Sequence, residues 1–557
     1  MPHSPLHFIF VSGGVLSGLG KGITTASIGL LLKSAGYKVT AVKIDPYVSV
    51  DAGTMRPAEH GEVFVTDDGG EIDQDLGNYE RFLNTSLSKD NNITTGKVYS
   101  NVIANERAFK YKGRDVEIFP DVINEVKELI LKASAGAEIV LVEVGGTVGD
   151  LENQPFLHAV RELGREHPSV NIIVTYLPFL RNVGELKTKP TQHAVARLRE
   201  VGIFPDFIVT RNEIPIDRPR KESIAARCFV DVENIIDNPD TDSIYKIPLI
   251  FEKEKVAEKI EKKLGLEARV PDLTEWKKFT RNATESSKKI KIALVGKYVE
   301  HGSGKHNDVY ISVLEAIRAA AVFHKVSAEV VPIESERLEK DNSPLKPFDA
   351  IVVPQGWGSR GTEGKIAAVR FARENKVPYL GLCFGMQMAS IEFGRNVCNL
   401  TTANSEEVDE KTPYPVIHIM PDQKEYLRQH QYGGTIRLGA WPCRLKEGSI
   451  LAKLYEKYSP EDLEKDDSGS LLIKERHRHR YEFNNEFRKV YEENGLIFCG
   501  TSPDGQLVEA IELPKESHPF FLGTQFHPEY KSRPLKPHPV FLGLIEAAVN
   551  SSHRVGA

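Results

Sequence analysis

The second half of the chain contains three residues whose types and order suit nucleophilic catalysis. Cys383 lies in the sequence Gly381-Leu-Cys-Phe-Gly385, between an apolar run and a helical stretch. Small residues on both sides of a nucleophile are typical of a sharp strand-to-helix turn that projects the side chain from a sheet. A helix N-terminus favours the thiolate, which is the attacking form. His527 and Glu529 follow the later apolar run Pro519–Gly523 and can accept the thiol proton and orient the imidazole.

The remaining cysteines and histidines have a simpler interpretation. A free cysteine is most often a small core residue, and we interpret four of them in this way: Cys228, Cys398, Cys443 and Cys499. Most of the 17 histidines are expected on surface loops, including His477 and His479. The five cysteines form no CxxC pair, so the sequence predicts neither a disulfide framework nor a zinc site, and it favours a reducing cytoplasmic environment.

A glycine-rich stretch near the start of the chain, Gly13–Gly22, has the composition of a phosphate-binding loop. It lies between the apolar run His7–Val11 and the amphipathic stretch Ile23–Ser34. Glycines let backbone N–H groups surround an anion, a helix dipole favours negative charge, and Lys21 adds a full positive charge. The strict P-loop pattern fails, because Val15 replaces a glycine and neither Ser nor Thr follows the lysine. A tight turn with a surface lysine is the alternative, but five glycines within this stretch favour phosphate binding.

Two carboxylates of the first half, Asp75 and Glu143, are oxygen ligands of the kind that Mg²⁺ prefers. Glu143 ends a strand candidate, which is where parallel sheets place their ligands. Carboxylates on loops are usually only solvated, so these two residues alone do not establish a metal site.

These residues belong to two series of alternating strand and helix candidates. The predicted strands of the first series are Lys38–Ile44, Glu138–Val144, Asn171–Leu177, Asp206–Val209 and Ile247–Phe251. Predicted helices include Asp121–Ala133 and Gln192–Val201. The second series has strands at Ile290–Val295, Ala350–Val353 and Pro378–Leu382, and becomes β-rich after Tyr414. Such alternation predicts an α/β fold with two doubly wound domains, at 1–268 and 290–557, joined by the polar linker 269–289.

The composition excludes several classes of protein. At 557 residues the chain exceeds the size of one ordinary domain, and its 40% apolar content is that of a globular protein. A net charge of −6 argues against general binding to nucleic acid or to a membrane surface. The sequence has no apolar run near the length of a membrane span and no signal-peptide pattern, so we expect a cytoplasmic protein.

The second half resembles the class I glutamine amidotransferase domain, on the strength of the Cys383 turn and the later His-Pro-Glu. This resemblance implies hydrolysis of glutamine to glutamate and ammonia through a glutamyl thioester. It places Pro354–Gly358 as the oxyanion strand, whose backbone N–H acts with that of Phe384. Gln355 stands where the family usually has glycine. The implied glutamine-binding residues are Gly356, Phe384, Gly385, Met386, Gln387, Glu407 and Arg480.

The first half closely resembles the synthetase domain of the CTP synthase family. Six motifs carry the resemblance: Ser12–Gly22, Lys43–Tyr47, Gly53–Val65, Asp75–Arg81, Glu143–Glu152 and Lys187–His193. The resemblance implies a P-loop-like fold similar to dethiobiotin synthetase. It also implies a reaction in which ATP phosphorylates the uracil 4-oxygen of UTP and ammonia then displaces the phosphate, giving CTP.

The same resemblance implies the site residues of the first half. Lys21 and Lys43 neutralise charge during phosphoryl transfer, and Asp75 and Glu143 hold Mg²⁺. The implied ATP-binding residues are Gly18, Leu19, Gly20, Lys21, Gly22, Ile23, Asp75, Pro239, Asp240 and Thr241. Those for UTP, and for the product CTP, are Ser17, Asp150, Leu151, Glu152, Lys187, Thr188, Lys189, Pro190, Thr191, Gln192 and Ser223. Ser223 occupies the position of a usual lysine, and Lys221 is the nearest lysine.

The resemblance further implies GTP as an allosteric activator, CTP as a feedback inhibitor, and a homotetramer, and it leaves filament formation open. Because one domain makes ammonia and the other uses it, ammonia is expected to travel within the protein. Two alternatives stay open at this point. One is a different ATP-dependent glutamine amidotransferase, and the other is a nucleotide-sensing filament scaffold with a degenerate site.

Overall fold

The computed structural model describes residues 6–297, 307–428 and 433–552. Two compact units divide the chain. One comprises Met1–Ala52 and Ile72–Thr280, and the other Gly53–Glu71 and Arg281–Ala557. We call them the N-terminal unit and the C-terminal unit. Within the described ranges, no helix combines the length and apolar composition that crossing a bilayer requires.

The strands and helices are named in chain order. The strands up to residue 239 are β1 (His7–Gly13), β2 (Val39–Asp45), β3 (Val63–Val65), β4 (Glu71–Asp73), β5 (Asn92–Thr94), β6 (Ile139–Val144), β7 (Ser169–Tyr176), β8 (Phe179–Leu180), β9 (Glu185–Leu186), β10 (Phe207–Asn212) and β11 (Ile235–Pro239). The α-helices up to residue 285 are α1 (Lys21–Ser34), α2 (Pro57–His60), α3 (Asp75–Leu83), α4 (Thr95–Arg107), α5 (Ile123–Ala133), α6 (Gln154–Glu166), α7 (Lys189–Glu200), α8 (Arg218–Cys228), α9 (Ile247–Lys253), α10 (Val256–Leu264) and α11 (Thr274–Glu285).

The later strands are β12 (Lys289–Gly296), β13 (Ser327–Glu334), β14 (Ala350–Val353), β15 (Tyr379–Leu382), β16 (Asn404–Ser405), β17 (Pro415–Ile419), β18 (Arg437–Leu445), β19 (Glu464–Lys465), β20 (Leu471–His479), β21 (Tyr481–Phe483), β22 (Ile497–Thr501), β23 (Val508–Glu512) and β24 (Phe521–Thr524). The later α-helices are α12 (Ile311–Phe323), α13 (Thr362–Asn375), α14 (Phe384–Asn396), α15 (Pro421–Arg428), α16 (Ile450–Tyr458), α17 (Arg488–Glu493) and α18 (Pro539–Ser552).

The N-terminal unit is built on a seven-stranded sheet in the order β11-β10-β7-β1-β6-β2-β5. Every neighbouring pair in it is parallel. β1 and β6 are buried along their whole lengths, as expected for strands covered by helices on both faces. The carboxyl ends of β1, β2 and β6 therefore meet at one edge, which brings together the glycine-rich loop, Lys43 and Glu143.

The prediction of a strand at Ile247–Phe251 was wrong, because this segment forms helix α9. Pro248 lies in the first turn of α9, where proline favours a helix start. Ile247 and Phe251, four residues apart, are both buried on one helical face. The strand that completes this edge of the sheet is β11, which sequence analysis did not identify.

The segment 269–289, predicted as a polar linker, contains helix α11. Trp276, Phe279 and Thr280 form its buried face, and Trp276 packs against Phe82 and Tyr245 of the N-terminal unit. The indole N–H of Trp276 also donates to the backbone carbonyl of Tyr245, at 2.9 Å. Apolar residues at helical spacing therefore pack this part of the segment against the preceding residues of the N-terminal unit.

The C-terminal unit has a ten-stranded sheet in the order β13-β12-β14-β15-β24-β23-β22-β18-β20-β19. The five strands from β13 to β24 are parallel, and the other five are antiparallel. β15 and β24 are neighbours, so the segments after them, with Cys383 and His527, emerge side by side. The second unit is therefore α/β as predicted, with an antiparallel extension.

The segment Gly53–Glu71 belongs to the C-terminal unit although it lies early in the sequence. Arg476, fully buried, pairs with Asp67 at 2.6 Å, and Arg478 pairs with Glu71 at 2.8 Å. The Tyr530 hydroxyl donates to the backbone carbonyl of Val63 at 3.0 Å. One of the motifs of the first half thus contacts the strand and loop around the predicted thiol centre.

Candidate active sites

The turn at Cys383 has the geometry that its flanking glycines predict. Cys383 follows β15 and has φ +50° and ψ −102°, a strained conformation, and α14 begins at the next residue. A side chain at Gly385 would collide with the backbone of Val353, and one at Gly381 would collide with the backbone of Gly385. Glycine is therefore required on both sides of Cys383.

The four remaining cysteines are buried and form no disulfide, as predicted.

His527 and Glu529 form a buried pair beside Cys383. The imidazole Nδ1 lies 2.7 Å from Glu529 Oε1, and both side chains are almost fully buried. Burial by itself lowers the pKa of His527, but the negative charges of Glu529 and Cys383 raise it to about 10. The ring stacks on Tyr530 at a centroid distance of 5.0 Å. A buried imidazolium held by a carboxylate fits a group that shuttles a proton next to a thiol.

Replacing Glu529 with glutamine is expected to lower glutamine hydrolysis by about a hundredfold or more. Without the carboxylate, burial dominates and the pKa of His527 falls. The raised pKa stabilises the folded chain fully below pH 6.5, and this contribution is lost as pH rises toward about 10. Melting temperatures at neutral and at alkaline pH are therefore expected to differ less in Glu529→Gln than in the parent.

The control for this prediction is Glu516→Gln, which removes an exposed carboxylate. It is expected to preserve both glutamine hydrolysis and the parent's pH dependence of melting. An unchanged pH dependence in Glu529→Gln would contradict the assignment of the carboxylate as the source of the imidazolium.

The expectation of surface positions for His477 and His479 was wrong. Both are buried on β20, with their rings hydrogen-bonded to each other at 3.1 Å. His479 Nδ1 also lies 3.0 Å from the carbonyl of Tyr481. Burial first, and the nearby Arg437 second, lower the pKa of both histidines. β20 pairs with β18 inside the large sheet, which removes these side chains from solvent.

Two buried lysines hold the backbone of the predicted oxyanion strand, 354–358. Lys297 Nζ donates to the carbonyls of Trp357 and Gly358 at 2.8 and 2.5 Å, and Lys365 Nζ donates to that of Pro354 at 2.8 Å. Both ammonium groups lie over the ring of Phe384, at 4.4 and 5.2 Å. Burial lowers the pKa of Lys297 to about 8, and burial with the nearby Lys297 holds the pKa of Lys365 well below its usual value. Sequence analysis did not identify either lysine.

The predicted glutamine-binding residues divide into a group near the thiol and a group with other partners. A side chain at Gly356 would meet the Lys365 ammonium group first and then the Phe384 ring. Glu407 accepts from the backbone N–H of Gly358 at 2.7 Å. Arg480 instead donates to Gln423 and Thr435, at 3.0 Å each. Met386 is fully buried. The Gln387 amide is hydrogen-bonded to Tyr481 and Gln525.

The glycine-rich loop of the N-terminal unit adopts the conformation of an anion cradle. Gly18 and Gly20 both have φ in the left-handed region, and Gly20 caps helix α1, which begins at Lys21. Val15 also has φ +83°, which is strained for a β-branched residue. The first N–H groups of a helix have no partner within the helix, so this loop offers them to an anion.

Two lysines and a group of carboxylates surround the end of this loop. Lys43, only 6% exposed, contacts Asp75 at 2.5 Å, Asp45 at 3.1 Å and Asp73 at 3.5 Å. Lys21 donates to the carbonyl of Gly146 at 3.0 Å. Burial first, with the neighbouring aspartates, raises the pKa of Asp73 to about 7, and Lys43 opposes this. The centre therefore holds more carboxylates than its lysines neutralise.

Asp75 and Glu143, the predicted metal ligands, are brought to this same centre. The carboxylate of Asp75 lies against Gly22 of the loop, and Glu143, almost fully buried, accepts from the Tyr79 hydroxyl. Burial and then the charge of Asp75 raise the pKa of Glu143 to about 7. Among the described residues, no three His, Cys, Asp or Glu side chains converge as a metal cage. Two carboxylates completed by phosphate oxygens nevertheless fit Mg²⁺, which is rarely held by protein ligands alone.

The predicted adenine segment is tied to the end of β10 by Arg211. This side chain donates to the carbonyls of Asn238 and Pro239 at 3.0 and 3.4 Å and pairs with Asp240 at 2.8 Å. It also reaches the neighbourhood of Gly20 in the glycine-rich loop. Arg211 is thus a candidate nucleotide-site residue that sequence analysis missed.

The predicted UTP-binding residues lie on exposed loops and at the start of α7. Ser17, Asp150, Leu151 and Glu152 are exposed, whereas Lys187 is half-buried and pairs with Glu185. Gln192 donates to Thr188 at 3.0 Å. The remaining residues of this set on α7 are Lys189, Pro190 and Thr191. The Thr191 hydroxyl is fully buried and hydrogen-bonded to that of Thr175, so it holds the start of α7 against β7.

The arginine that accompanies Lys187 is a further residue that sequence analysis missed. Arg220, on α8, donates to the carbonyl of Leu186 at 3.2 Å and approaches Glu185 at 3.4 Å. Ser223 lies on the same helix, while Lys221 pairs with Glu254 at 3.1 Å. The run of basic residues at 218–221 was the only signal in the sequence that could have pointed to this arginine.

Comparison with known proteins gives matches along nearly the whole chain. A family model described as CTP synthase N-terminus matches residues 7–266, and one described as glutamine amidotransferase class-I matches residues 306–547. A CTP synthase from Caldanaerobacter subterraneus is 48% identical over 550 residues, covering 98% of each chain. One from Carboxydothermus hydrogenoformans is 49% identical over 552 residues, covering 98% of this chain and 99% of its own. A solved glutaminase domain of Trypanosoma brucei CTPS with bound acivicin is 35% identical, covers 47% of this chain and 94% of its own, and has a TM-score of 0.40.

Proposed function

The chain belongs to the CTP synthase family, and from that premise we propose that it aminates UTP to CTP with ATP and with ammonia taken from glutamine. The observation that carries this proposal is the presence in one chain of a buried thiol–histidine–carboxylate centre and a second centre of lysines and carboxylates at a glycine-rich loop. The overall reaction consumes UTP, ATP, glutamine and water and yields CTP, ADP, phosphate and glutamate. It is a step of pyrimidine nucleotide biosynthesis.

In the proposed glutaminase step, the proton of Cys383 has already passed to His527, and the sulfur attacks the amide carbon of glutamine as the thiolate. The negative oxygen that forms accepts hydrogen bonds from the backbone of Phe384 and of the oxyanion strand, whose carbonyls Lys297 and Lys365 hold. His527 then gives its proton to the departing ammonia. Water hydrolyses the thioester, which releases glutamate and restores the thiol.

In the proposed synthetase step, the uracil 4-oxygen attacks the γ-phosphorus of ATP and ADP departs. Ammonia then adds to C4, the ring carbon that carries this oxygen, and the C4–O bond breaks as phosphate leaves. Lys21 and Lys43 offset the negative charge that develops during the transfer, and the N-terminus of α1 orients the phosphates. Mg²⁺, held by Asp75 and Glu143 with phosphate oxygens, would withdraw further charge from the transferred group.

We infer several further properties of the enzyme from its membership of the family. Lys187 and the start of α7 meet the triphosphate of UTP, and CTP inhibits by occupying the same region. The segment 239–241 contacts adenine, GTP activates glutamine hydrolysis, and the enzyme works as a cytoplasmic homotetramer. The functional domains run from 1 to 268 and from 290 to 557, with 269–289 between them.

The experiment that tests the proposal follows CTP formation by absorbance with UTP, ATP and Mg²⁺, comparing glutamine with ammonium. We expect CTP from both nitrogen sources and ADP release that depends on UTP. ADP release with another acceptor, and none with UTP, would favour a different ATP-dependent amidotransferase. Binding of nucleotides without turnover would favour a filament scaffold.

Gln355 gives a prediction about the rate of the glutaminase step. Its amide N–H donates to Glu62 at 3.2 Å, and Gly356 beside it belongs to the oxyanion strand. A side chain at this position restricts the backbone that glycine would leave free. Gln355→Gly is therefore expected to raise GTP-stimulated glutamine turnover severalfold. The upper limit is about tenfold, which corresponds to the free energy of one hydrogen bond.

The variant Gln355→Ala separates the two causes, since it removes the amide without adding the freedom of glycine. A gain in Gln355→Gly alone assigns the effect to the backbone, and an equal gain in both assigns it to the Glu62 contact. Unchanged turnover in Gln355→Gly would show that this residue does not limit the enzyme.

A further inference from the structure

The sulfur of Cys383 accepts a hydrogen bond from a side chain that has no assigned role. The amide Nε2 of Gln525 lies 3.5 Å from Sγ. Gln525 is fully buried and directly follows β24, two residues before His527. Its backbone N–H donates to the carbonyl of Glu509 at 2.8 Å, which fixes where the side chain begins. His527 Nε2, in contrast, makes no hydrogen bond to any residue in the described ranges.

The orientation of the Gln525 amide is determined by its neighbours. The backbone carbonyl of Tyr481 can only accept a hydrogen bond, and Gln387 Nε2 lies 2.9 Å from it. Gln387 must therefore present its NH₂ group on this side. The same NH₂ lies 3.3 Å from Gln525 Oε1, so the oxygen of Gln525 faces Gln387 and its NH₂ faces the sulfur. The carbonyl oxygen of Tyr481, which also lies 3.0 Å from His479 Nδ1, therefore fixes the orientation of the Gln387 and Gln525 amides.

We propose that Gln525 is a positioning residue for the glutaminase reaction, and that its amide N–H holds the Cys383 sulfur in the attacking orientation under the control of Gln387 and the Tyr481 carbonyl. The inference rests on the proposed function. An N–H donor at this place favours the thiolate over the thiol, because a hydrogen bond to a charged group is stronger than one to a neutral group. His527 thereby keeps the proton that it gives to the departing ammonia.

The test measures how fast iodoacetamide inactivates the full-length chain as a function of pH, in the absence of substrates. Gln525→Met removes the donor at nearly constant length and is expected to raise the midpoint of alkylation by about one pH unit. Gln525→Glu keeps the shape but places a carboxylate beside the sulfur, so the midpoint is expected to rise further. His527, Lys365 and Tyr530, which also interact electrostatically with Cys383, stay unchanged in both variants.

Activity gives a second readout. At neutral pH, glutamine hydrolysis by Gln525→Met is expected to fall about tenfold in kcat, with KM for glutamine unchanged, and to recover at alkaline pH. CTP formation from ammonium reports on folding and is expected to match the parent. The control is Ser390→Ala. It removes a buried hydroxyl of α14 that donates to the backbone carbonyl of Met386 and not to the sulfur. This variant is expected to leave the midpoint of alkylation unchanged.

A second variant tests the orientation and keeps the inference falsifiable if Gln525→Met fails to fold. Gln387→Met frees the Gln525 amide to turn over and is expected to raise the midpoint less than Gln525→Met does. The double variant is expected to match Gln525→Met alone. Midpoints equal to the parent's in both Gln525→Glu and Gln387→Met would overturn the proposal, as would additive shifts in the double variant. Failure of the proposed function is distinct, since the parent would then make no CTP from glutamine.

Discussion

Cys383→Ala is expected to abolish CTP formation from glutamine and to leave CTP formation from ammonium intact. The sulfur is the only atom of this residue that can attack the amide, so the expected loss in glutamine hydrolysis is at least about a thousandfold. The turn at Cys383 supports this expectation, because its combination of φ +50° and ψ −102° is strained and such strain is concentrated at active sites. The measurement is the rate of CTP formation at saturating glutamine and, separately, at saturating ammonium.

Cys398→Ala is the matched control, because Cys398 is a buried thiol of the same unit just beyond the C-terminal end of α14. It is expected to retain both activities. Glutamine-dependent synthesis that survives in Cys383→Ala would remove the thiol from the mechanism, and loss of the ammonium reaction would indicate damage to folding instead.

Lys21→Ala is expected to abolish CTP formation from both nitrogen sources while leaving basal glutamine hydrolysis unchanged. Lys21 is the first residue of α1, and its ammonium group lies at the centre that contains Lys43, Asp75 and Glu143. Removing a cation aimed at a developing negative charge costs about a hundredfold or more in rate. The readouts are ADP release with UTP and glutamate release without nucleotides.

The control for this variant is Lys38→Ala, which removes an exposed lysine from the same unit. Both activities are expected to persist in it. Preserved synthesis in Lys21→Ala would mean that the glycine-rich loop does not carry phosphate, and the assignment of the synthetase centre would then be wrong.

Features encoded in short contiguous segments were predicted from the sequence alone. The turn at Cys383 and the start of α1 after the glycine-rich loop depend on residues within a few positions of each other. The apolar runs of β1, β6 and β14 are buried on both faces, so they stand out from their surroundings. The fold class followed from these local patterns.

Features that depend on distant partners were not accessible from the sequence. His477 and His479 are buried because β20 pairs with β18, about forty residues earlier in the chain. Ile247–Phe251 has the composition of a strand, and only its packing as a helix distinguishes it. Arg211, Arg220, Lys297 and Gln525 acquire their candidate roles from contacts with segments far away in sequence.

The central claim is that ATP activates the uracil oxygen of UTP for replacement by nitrogen from glutamine. One mass-spectrometric measurement tests it, with UTP bearing heavy oxygen at the uracil 4-position and glutamine bearing heavy nitrogen in its amide. We expect the heavy oxygen in the released phosphate and the heavy nitrogen in CTP, at one label each per turnover. Unlabelled phosphate, or CTP without the heavy nitrogen, would contradict the account.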